Sequence, residues 1–102
     1  INHTARIRYK KFEVDTDKSI VLIKEQQVHL TSTEYKLLCC LIENKGRIVT
    51  KAMLLEQLWD IDGNFVDENT VRVNIKRLRQ KLNDDKQEYI VTVFGMGYTF
   101  GE

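Results

Sequence analysis

The spacing of apolar positions predicts strands near both ends of the chain and helices between them. From position 5 to position 30, apolar and polar residues alternate, as they do in strands covered on one face only. This alternation, interrupted by polar turns, predicts an antiparallel sheet. Its strands are expected at Arg6–Tyr9, Phe12–Asp15, Ser19–Ile23 and Val28–Leu30.

A capping signal marks the start of the first helix. Thr31 and Glu34 have the spacing at which a hydroxyl and a carboxylate cap each other's backbone N–H groups. The helix is expected to end at the polar residues and glycine of positions 44–46. Its buried stripe, which makes it part of the scaffold, is predicted to comprise Tyr35, Leu38, Leu41 and Ile42.

A second helix is expected after Thr50, where leucines recur at helical spacing. Its Trp59 either fills the core or brings its indole N–H to a surface, and the residues alone favour the core. The next segment has turn-forming residues and no helical spacing, so a loop is predicted. This loop is either a solvated connector, which is slightly favoured, or a contact for a protein partner, and comprises Asp60, Ile61, Asp62, Gly63, Asn64, Phe65 and Val66.

The third helix is predicted to begin after Asp67, a capping residue, and to end at the polar cluster of positions 83–85. At ~100° per residue its apolar side chains fall on one stripe, which comprises Val71, Ile75, Leu78 and Leu82. The opposite side comprises Asn69, Val73, Lys76, Arg77 and Gln80, flanked by Arg72, Asn74, Arg79 and Lys81.

Charge distinguishes this helix from the rest of the chain. Between Asn69 and Leu82 there are five basic residues and no acidic one, although the net charge of the whole chain is only +1. A solvated basic face is the ordinary explanation of such a run, but it usually includes acidic residues at i, i+4 spacing. The pattern therefore favours contact with a polyanion, and the near-neutral remainder of the chain limits non-specific phosphate binding.

The chain closes with a predicted hairpin. A strand over Tyr89–Phe94 is followed by a turn with two glycines at 95–97 and by Tyr98–Phe100. Two helices joined by a loop, the second of them basic, followed by a hairpin describe a winged helix-turn-helix. In such a module the last helix enters the DNA major groove, ~12 Å wide, and the hairpin lies along the adjacent backbone or minor groove.

Composition narrows the class of protein. A chain of 102 residues with 42% hydrophobic and 30% charged residues suits one soluble globular domain. No apolar run approaches the ~20 residues that span a bilayer, and no secretory signal is visible, so we expect a cytoplasmic protein without membrane contact. Because the chain opens at Ile1 and not at methionine, it is interpreted as a piece of a longer protein.

Side chains suited to catalysis or metal binding are sparse. Cys39 and Cys40 are adjacent, a spacing that rarely forms a disulfide, and are expected to be small, buried or half-buried thiols in a reducing compartment. His3 and His29 are remote from them in sequence, so no zinc site is expected. No catalytic Ser/His/Asp or Cys/His set and no phosphate-binding loop is suggested. We therefore expect neither enzyme activity nor a cofactor.

At the level of motifs, nearly the whole chain resembles the DNA-binding effector domain of OmpR/PhoB-type two-component response regulators. The matching stretches are LTSTEYKLLCCLIENKGRIVT, KAMLLEQLW, TVRVNIKRLRQKL and IVTVFGMGYTF. The resemblance implies an α+β winged helix-turn-helix with an N-terminal four-stranded antiparallel sheet, three helices and a C-terminal hairpin wing, in one domain over residues 1–102. It also implies a receiver domain outside this chain, which a sensor histidine kinase would phosphorylate on aspartate.

The resemblance assigns roles to individual residues. Arg77 lies where the family has an arginine suited to bidentate contact with guanine. The loop Asp60–Val66 corresponds to a segment that contacts RNA polymerase in some relatives. The residues expected to read bases are Asn69, Val73, Asn74, Lys76 and Arg77. Those expected to hold DNA phosphates are Trp59, Thr70, Arg72, Arg79, Thr92 and Tyr98.

Three positions depart from the family pattern. Arg72 replaces a common acid and adds charge near the DNA backbone, and Asn74 replaces a histidine, which should alter base preference. Phe94 replaces a wing arginine that enters a minor groove in relatives, so it is expected to pack or to form an apolar contact. The opening of the third helix resembles regulators of cell-envelope or antimicrobial-peptide stress.

The function expected from the sequence is recognition of double-stranded DNA for transcriptional regulation as the output of a phosphorelay. Promoter direct repeats, RNA polymerase and the sensor kinase would be the partners, and the full-length phosphorylated protein is expected to form a homodimer. A protein-interaction module that docks its basic helix on an acidic partner is the main alternative. RNA recognition is a weaker one, because no surface gathers aromatic residues for base stacking.

Overall fold

The computed structural model of the chain describes residues 6–9, 11–62, 67–84 and 86–101, with the side chains of 6 and 59–62 outside its description. Four N-terminal strands are followed by α1, a short strand, α2, α3 and two C-terminal strands. The helices are α1 (Ser32–Glu43), α2 (Lys51–Asp62) and α3 (Glu68–Lys81). The strands are β1 (Arg6–Arg8), β2 (Glu13–Asp15), β3 (Ile20–Ile23), β4 (Gln26–Val28), β5 (Val49–Thr50), β6 (Ile90–Val93) and β7 (Gly97–Phe100).

The N-terminal sheet is antiparallel in the order β1-β2-β3-β4, which confirms the predicted meander. Its fourth strand was placed wrongly, because β4 begins at Gln26 and pairs with Ile23 across a two-residue turn. The turn residues Lys24 and Glu25 have φ values of +53° and +67°. Two consecutive positive φ angles are what the tightest hairpins require, and they usually signal asparagine or glycine. The turn contains neither residue, so the sequence indicated a break between Ile23 and Val28 but not a two-residue turn.

One core joins the helices to both sheets. The stripe predicted on α3 is buried along its whole length, since Val71, Ile75, Leu78 and Leu82 are each at most 1% exposed. It packs with Leu37, Leu38 and Leu41 of α1 and with Leu54 and Leu58 of α2. The described helices include none long and apolar enough to cross a membrane.

The loop predicted over Asp60–Val66 is partly wrong. Helix α2 continues to Asp62, so Asp60, Ile61 and Asp62 lie in its last turn. Ile61 follows Leu58 by three residues, a spacing that continues the apolar repeat of the helix. Turn-forming residues begin only at Gly63, and positions 63–66 lie outside the described part of the chain.

The C-terminal hairpin was predicted with two strands but belongs to a three-stranded sheet in the order β5-β7-β6. Strands β6 and β7 pair from Ile90↔Phe100 to Val93↔Gly97. The added strand β5 pairs Val49 with Tyr98 and Thr50 with Gly97. This pairing sets the hairpin, hereafter the wing, directly against the start of α2.

An aromatic cluster joins the two ends of the chain. Phe12 contacts Tyr89 with ring centroids 5.0 Å apart, and Tyr9 contacts Phe100 at 5.1 Å. The Tyr89 hydroxyl also accepts a hydrogen bond of 3.0 Å from the backbone N–H of Lys11. The N-terminal sheet and the wing therefore share part of one core.

Candidate nucleic-acid interface

Helix α3 begins at a side-chain cap, as predicted. The Asp67 carboxylate accepts hydrogen bonds from the Thr70 N–H at 2.9 Å and from the Thr70 hydroxyl at 3.0 Å. These bonds lower the pKa of the Asp67 carboxyl below its ordinary value. The Thr70 hydroxyl, which was expected to hold a phosphate, therefore donates to the cap and keeps only its acceptor lone pairs for other contacts.

The predicted base-reading residues lie together on α3. Asn69, Lys76 and Arg77 are exposed, and Val73 and Asn74 are half-buried. The Asn74 amide nitrogen donates to the Thr70 carbonyl oxygen at 2.8 Å, one turn earlier. One amide proton and the amide oxygen of Asn74 remain for further hydrogen bonds. The helix thus presents amides and cations on one face, which are the groups that pair with base edges in a major groove.

A cleft of about 200 Å³ lies beside this face. Its walls bring Arg72 and Asn69 of α3 together with Tyr98 of the wing and Lys51 of α2, completed by Glu68 and Val71. The Arg72 Nη2 donates to the Asn69 Oδ1 at 2.9 Å, and both side chains are exposed. Three elements of the fold therefore meet at one cationic surface.

Lys51 was missed by the sequence analysis. Its ammonium lies 3.4 Å from the Glu68 carboxylate, with half or more of the Glu68 side chain exposed. Exposed ion pairs of this kind contribute little, so a phosphate can replace Glu68 as the partner. Lys51 is the first residue of α2, and only the packing of that helix end against α3 and the wing reveals its place.

Arg79 points to the wing. Its guanidinium donates to the Ile90 carbonyl oxygen from Nε at 3.0 Å and from Nη2 at 2.7 Å, and Nη2 also donates to the Thr92 hydroxyl at 2.8 Å. The same group lies 5.9 Å from the centre of the Tyr98 ring. Burial lowers the pKa of Arg79, although nearby Tyr98 and Asp84 act in the opposite direction. Arg79 therefore holds β6 against α3.

These contacts bear on the residues expected to hold phosphates. Arg79 commits Nε and Nη2 to the wing, which leaves the N–H groups of Nη1 for a phosphate. Thr92 accepts from Arg79 and keeps its own hydroxyl proton to donate. Tyr98 is only 7% exposed, and it lines the cleft. The three side chains thus form a connected set between α3 and the wing.

Lys81, counted among the basic residues of α3, turns to the core. Its ammonium lies 2.6 Å from the carboxylate of Glu34, which is 1% exposed. Burial alone would raise the pKa of Glu34, but Lys81 and the Thr31 cap together lower it. The predicted capping box of α1 is confirmed, and its glutamate also holds α1 against α3. Lys81 is therefore largely occupied within the domain.

Asp84 fixes where the wing starts. It is fully buried, and its carboxylate accepts from the backbone N–H groups of Glu88, Tyr89 and Ile90 at 2.7–3.1 Å. The polar cluster that was expected only to end α3 thus also positions the first residues of β6. Hydrogen bonds to a buried carboxylate are strong, so this junction is well defined.

Two predicted contacts cannot be placed. Trp59 lies in α2 with its side chain outside the described part of the structure, and the same holds for Asp60, Ile61 and Asp62.

Within the described residues no three His, Cys, Asp or Glu side chains gather as a metal site would need. The described cysteines Cys39 and Cys40 are unpaired, and burial raises the pKa of both thiols.

Comparison with known proteins places this geometry in a family. Residues 25–100 match the family model described as "Transcriptional regulatory protein, C terminal". The transcriptional regulatory protein YcbL of Bacillus subtilis is 37% identical over 98 residues, which cover 94% of this chain and 43% of YcbL. The chain spans less than half the length of the curated relatives that it matches first.

Solved structures agree with the family match. The response regulator DrrB of Thermotoga maritima, an OmpR/PhoB homologue, superposes with a TM-score of 0.84 at 32% identity, covering 96% of this chain and 45% of DrrB. The DNA-binding domain of RstA from Klebsiella pneumoniae, solved in complex with its RstA box, gives a TM-score of 0.78 at 31% identity, covering 94% of this chain and 96% of that domain. The chain therefore belongs to the family of C-terminal domains of transcriptional regulatory proteins, with the winged-helix fold of OmpR/PhoB-type response regulators.

Proposed function

We propose that this domain binds double-stranded DNA in a sequence-specific manner and regulates transcription as the output of a response regulator. The observation that carries the proposal is the meeting of Arg72 of α3, Tyr98 of the wing and Lys51 of α2 around one cleft beside the exposed face of α3. Family membership supports it, as does the DNA complex of the related RstA domain. No described side chain on this face is arranged for chemistry, so binding is the activity that the surface supports.

The proposal assigns one group of residues to the bases and another to the DNA backbone. Asn69, Val73, Asn74, Lys76 and Arg77 read base edges from the exposed face of α3. Arg72, Arg79, Thr92, Tyr98 and Trp59 hold the backbone, and Lys51 joins them because it lines the same cleft as Arg72. The Thr70 hydroxyl, expected from the sequence to hold a phosphate, is left out because it donates its proton to the Asp67 cap. Phosphate contacts position the domain and supply affinity, whereas base contacts select the site.

The partners of the full-length protein form the outer part of the proposal. We expect a receiver domain that a sensor histidine kinase phosphorylates, and a homodimer that binds promoter direct repeats. Repeats spaced ~10–11 bp apart would place two domains on one face of the duplex. The end of α2 and the following segment, Asp60–Val66, would contact RNA polymerase. Cell-envelope or antimicrobial-peptide stress is the proposed signal, because the opening of α3 resembles regulators of those responses.

A salt titration tests DNA binding itself. The cations that this proposal assigns to phosphates are Arg72 and Arg79 of α3, the latter through Nη1, and Lys51 of α2. With about three phosphates neutralised, log K should fall with log salt at a slope of roughly −3 per domain. The dissociation constant for a fixed duplex should be measured across salt concentrations. A slope near zero, or no binding to random duplex at low salt, would refute the proposal.

Replacing Arg77 tests the division between readers and backbone contacts. Arg77→Ala should weaken binding to the preferred site by ~1–3 kcal/mol and relax selectivity at one base pair, because a bidentate contact with guanine is lost. The preferred site is first selected from a random duplex pool, and affinities for all single-base variants of it are then measured. Arg72→Ala is the matched comparison, since it removes an equal charge that lies at the cleft. If both variants weakened every sequence equally, Arg77 would not be a base reader.

A further inference from the structure

The tip of the wing is apolar and exposed. Phe94 is 91% exposed and Met96 is 54% exposed, whereas the other exposed large apolar side chains among the described residues, Ile7, Ile48 and Met53, are at most 40% exposed. From Val93 to Tyr98 the tip carries no charged residue. Two large apolar side chains on one turn offer surface whose burial against a partner would be favourable.

The tip is held at a fixed place relative to α3. The Met96 N–H donates to the Val93 carbonyl oxygen at 3.0 Å, which closes the turn, and Gly95 has the positive φ of +77° that a type II turn requires. Two residues before Phe94, the Thr92 hydroxyl accepts from Arg79 of α3. Phe94 therefore lies ~7 Å along the strand from the Arg79–Thr92 contact.

This distance suits a neighbouring groove of DNA. When Arg79 and Thr92 lie at a phosphate between two grooves, the tip reaches past that phosphate, and the minor groove there is ~6 Å wide and ~7.5 Å deep. A narrow, uncharged tip fits such a groove, and it cannot pair with the phosphates themselves. Phenylalanine and methionine are among the side chains that minor-groove proteins insert between base pairs, which unstacks a step and kinks the duplex.

We propose that the Phe94 ring partly separates one base step at the minor groove beside the major groove occupied by α3, where the wing arginine of relatives enters without such insertion being implied. This inference rests on the DNA binding proposed above and adds a contact that bends the site. Met96 covers the sugars next to the step. Pyrimidine–purine steps, which unstack most easily, are the expected place, so the tip selects sites by deformability and not by hydrogen bonds.

A protein partner suits the tip less well. A stable protein interface buries ~800 Å² on each side, whereas the exposed apolar surface here consists of two side chains on one turn. The groups flanking the tip along the wing are the hydroxyl of Thr92 and the buried Tyr98, next to the cations of the cleft. Such surroundings match a polyanion better than an apolar protein surface.

The test compares Phe94→Ala with wild type on a duplex selected by the wild-type domain. Affinity should fall on the order of 10- to 100-fold, which corresponds to the loss of one buried phenylalanine side chain. The salt slope should stay unchanged, because no charge is removed. Phe94→Leu should keep part of the affinity, and Ile7→Ala, which removes an exposed apolar side chain from the N-terminal sheet, should stay within about twofold of wild type.

Unstacking is measured with 2-aminopurine placed at each step flanking the contact of α3. Wild-type binding should raise its fluorescence at one step, and Phe94→Ala should not, at saturating protein. An affinity for Phe94→Ala within twofold of wild type, or no fluorescence rise at any step, overturns the inference. So would retained DNA affinity combined with reduced self-association in sedimentation, which would assign the tip to a second copy. In each of these cases, salt-dependent DNA binding by the wild type leaves the proposed function standing. If the wild type shows no such binding, both the proposed function and the wing-tip inference are refuted.

Discussion

Replacing Gly97 by alanine should destabilise the domain by about 4 kcal/mol, the sum of a steric clash and an unfavourable backbone conformation. A Cβ at this position would lie 2.1 Å from the Val49 carbonyl oxygen and 2.9 Å from the Thr50 Cα. These are backbone atoms of β5, so they can move only if the pairing of β5 with β7 opens. The φ of Gly97 is +155°, which residues with side chains rarely adopt. The free energy of unfolding should be measured by urea denaturation.

Gly95→Ala is the matched control for this prediction. Gly95 also has a positive φ, of +77°, but nothing lies within 4 Å of the added Cβ. Gly95→Ala should therefore lower the free energy of unfolding only by the ~1 kcal/mol of the unfavourable backbone conformation. Equal losses in the two variants would show that the close approach of β7 to β5 contributes nothing. Gly97→Ala protein that still folds should bind DNA more weakly than Gly95→Ala protein, because its wing is displaced from α2 and α3.

Arg79→Ala should destabilise the domain by about 2–3 kcal/mol and also weaken binding to every duplex. The domain loses stability because the partly buried Arg79 guanidinium no longer makes its charge-assisted hydrogen bonds to the Ile90 carbonyl and the Thr92 hydroxyl. The binding term follows because the wing loses its attachment to α3 and a phosphate loses the Nη1 donors. Hydrogen exchange should show faster exchange of β6 and β7 amides, with α1 little changed.

Arg79→Lys distinguishes geometry from charge at this position. A lysine keeps the positive charge but cannot direct several N–H groups from one plane, so it should recover little of the lost stability. Arg77→Ala, which removes an exposed arginine two residues earlier, should change stability by no more than ~0.5 kcal/mol. If exchange in the wing were the same in Arg79→Ala as in wild type, Arg79 would act only on DNA.

The parts of the fold that local signals specify could be predicted from the sequence. Helix α3 has a capping aspartate, an apolar stripe at helical spacing and a polar stop, and each of these signals lies within or directly next to the helix. The capping box of α1 is equally local. Such features depend on neighbours three or four residues apart, which a sequence displays directly.

Features that depend on distant partners could not be predicted. Strand β5 has two residues and becomes a strand only because Tyr98 and Gly97 pair with it. Lys81 and Arg79 carry the same charge as their exposed neighbours on α3. Lys81 nevertheless contacts Glu34, 47 residues earlier in the chain, and Arg79 contacts the wing. The place of a cation on a helix depends on which element packs beside it. For the candidate interface, the sequence could therefore indicate the exposed amides and cations of α3 but not which cations are occupied within the domain.

The aromatic cluster between the two ends of the chain has a consequence for the order of folding. Helix α3 can form from contacts close in sequence, whereas the rings of Tyr9 and Phe100 meet only after the segment that joins them has been made. Contacts between distant residues carry a large loop-closure entropy and form slowly. A chain emerging from the ribosome would thus possess its basic helix before its wing, and would reach its mature DNA-contacting shape in the final step of folding.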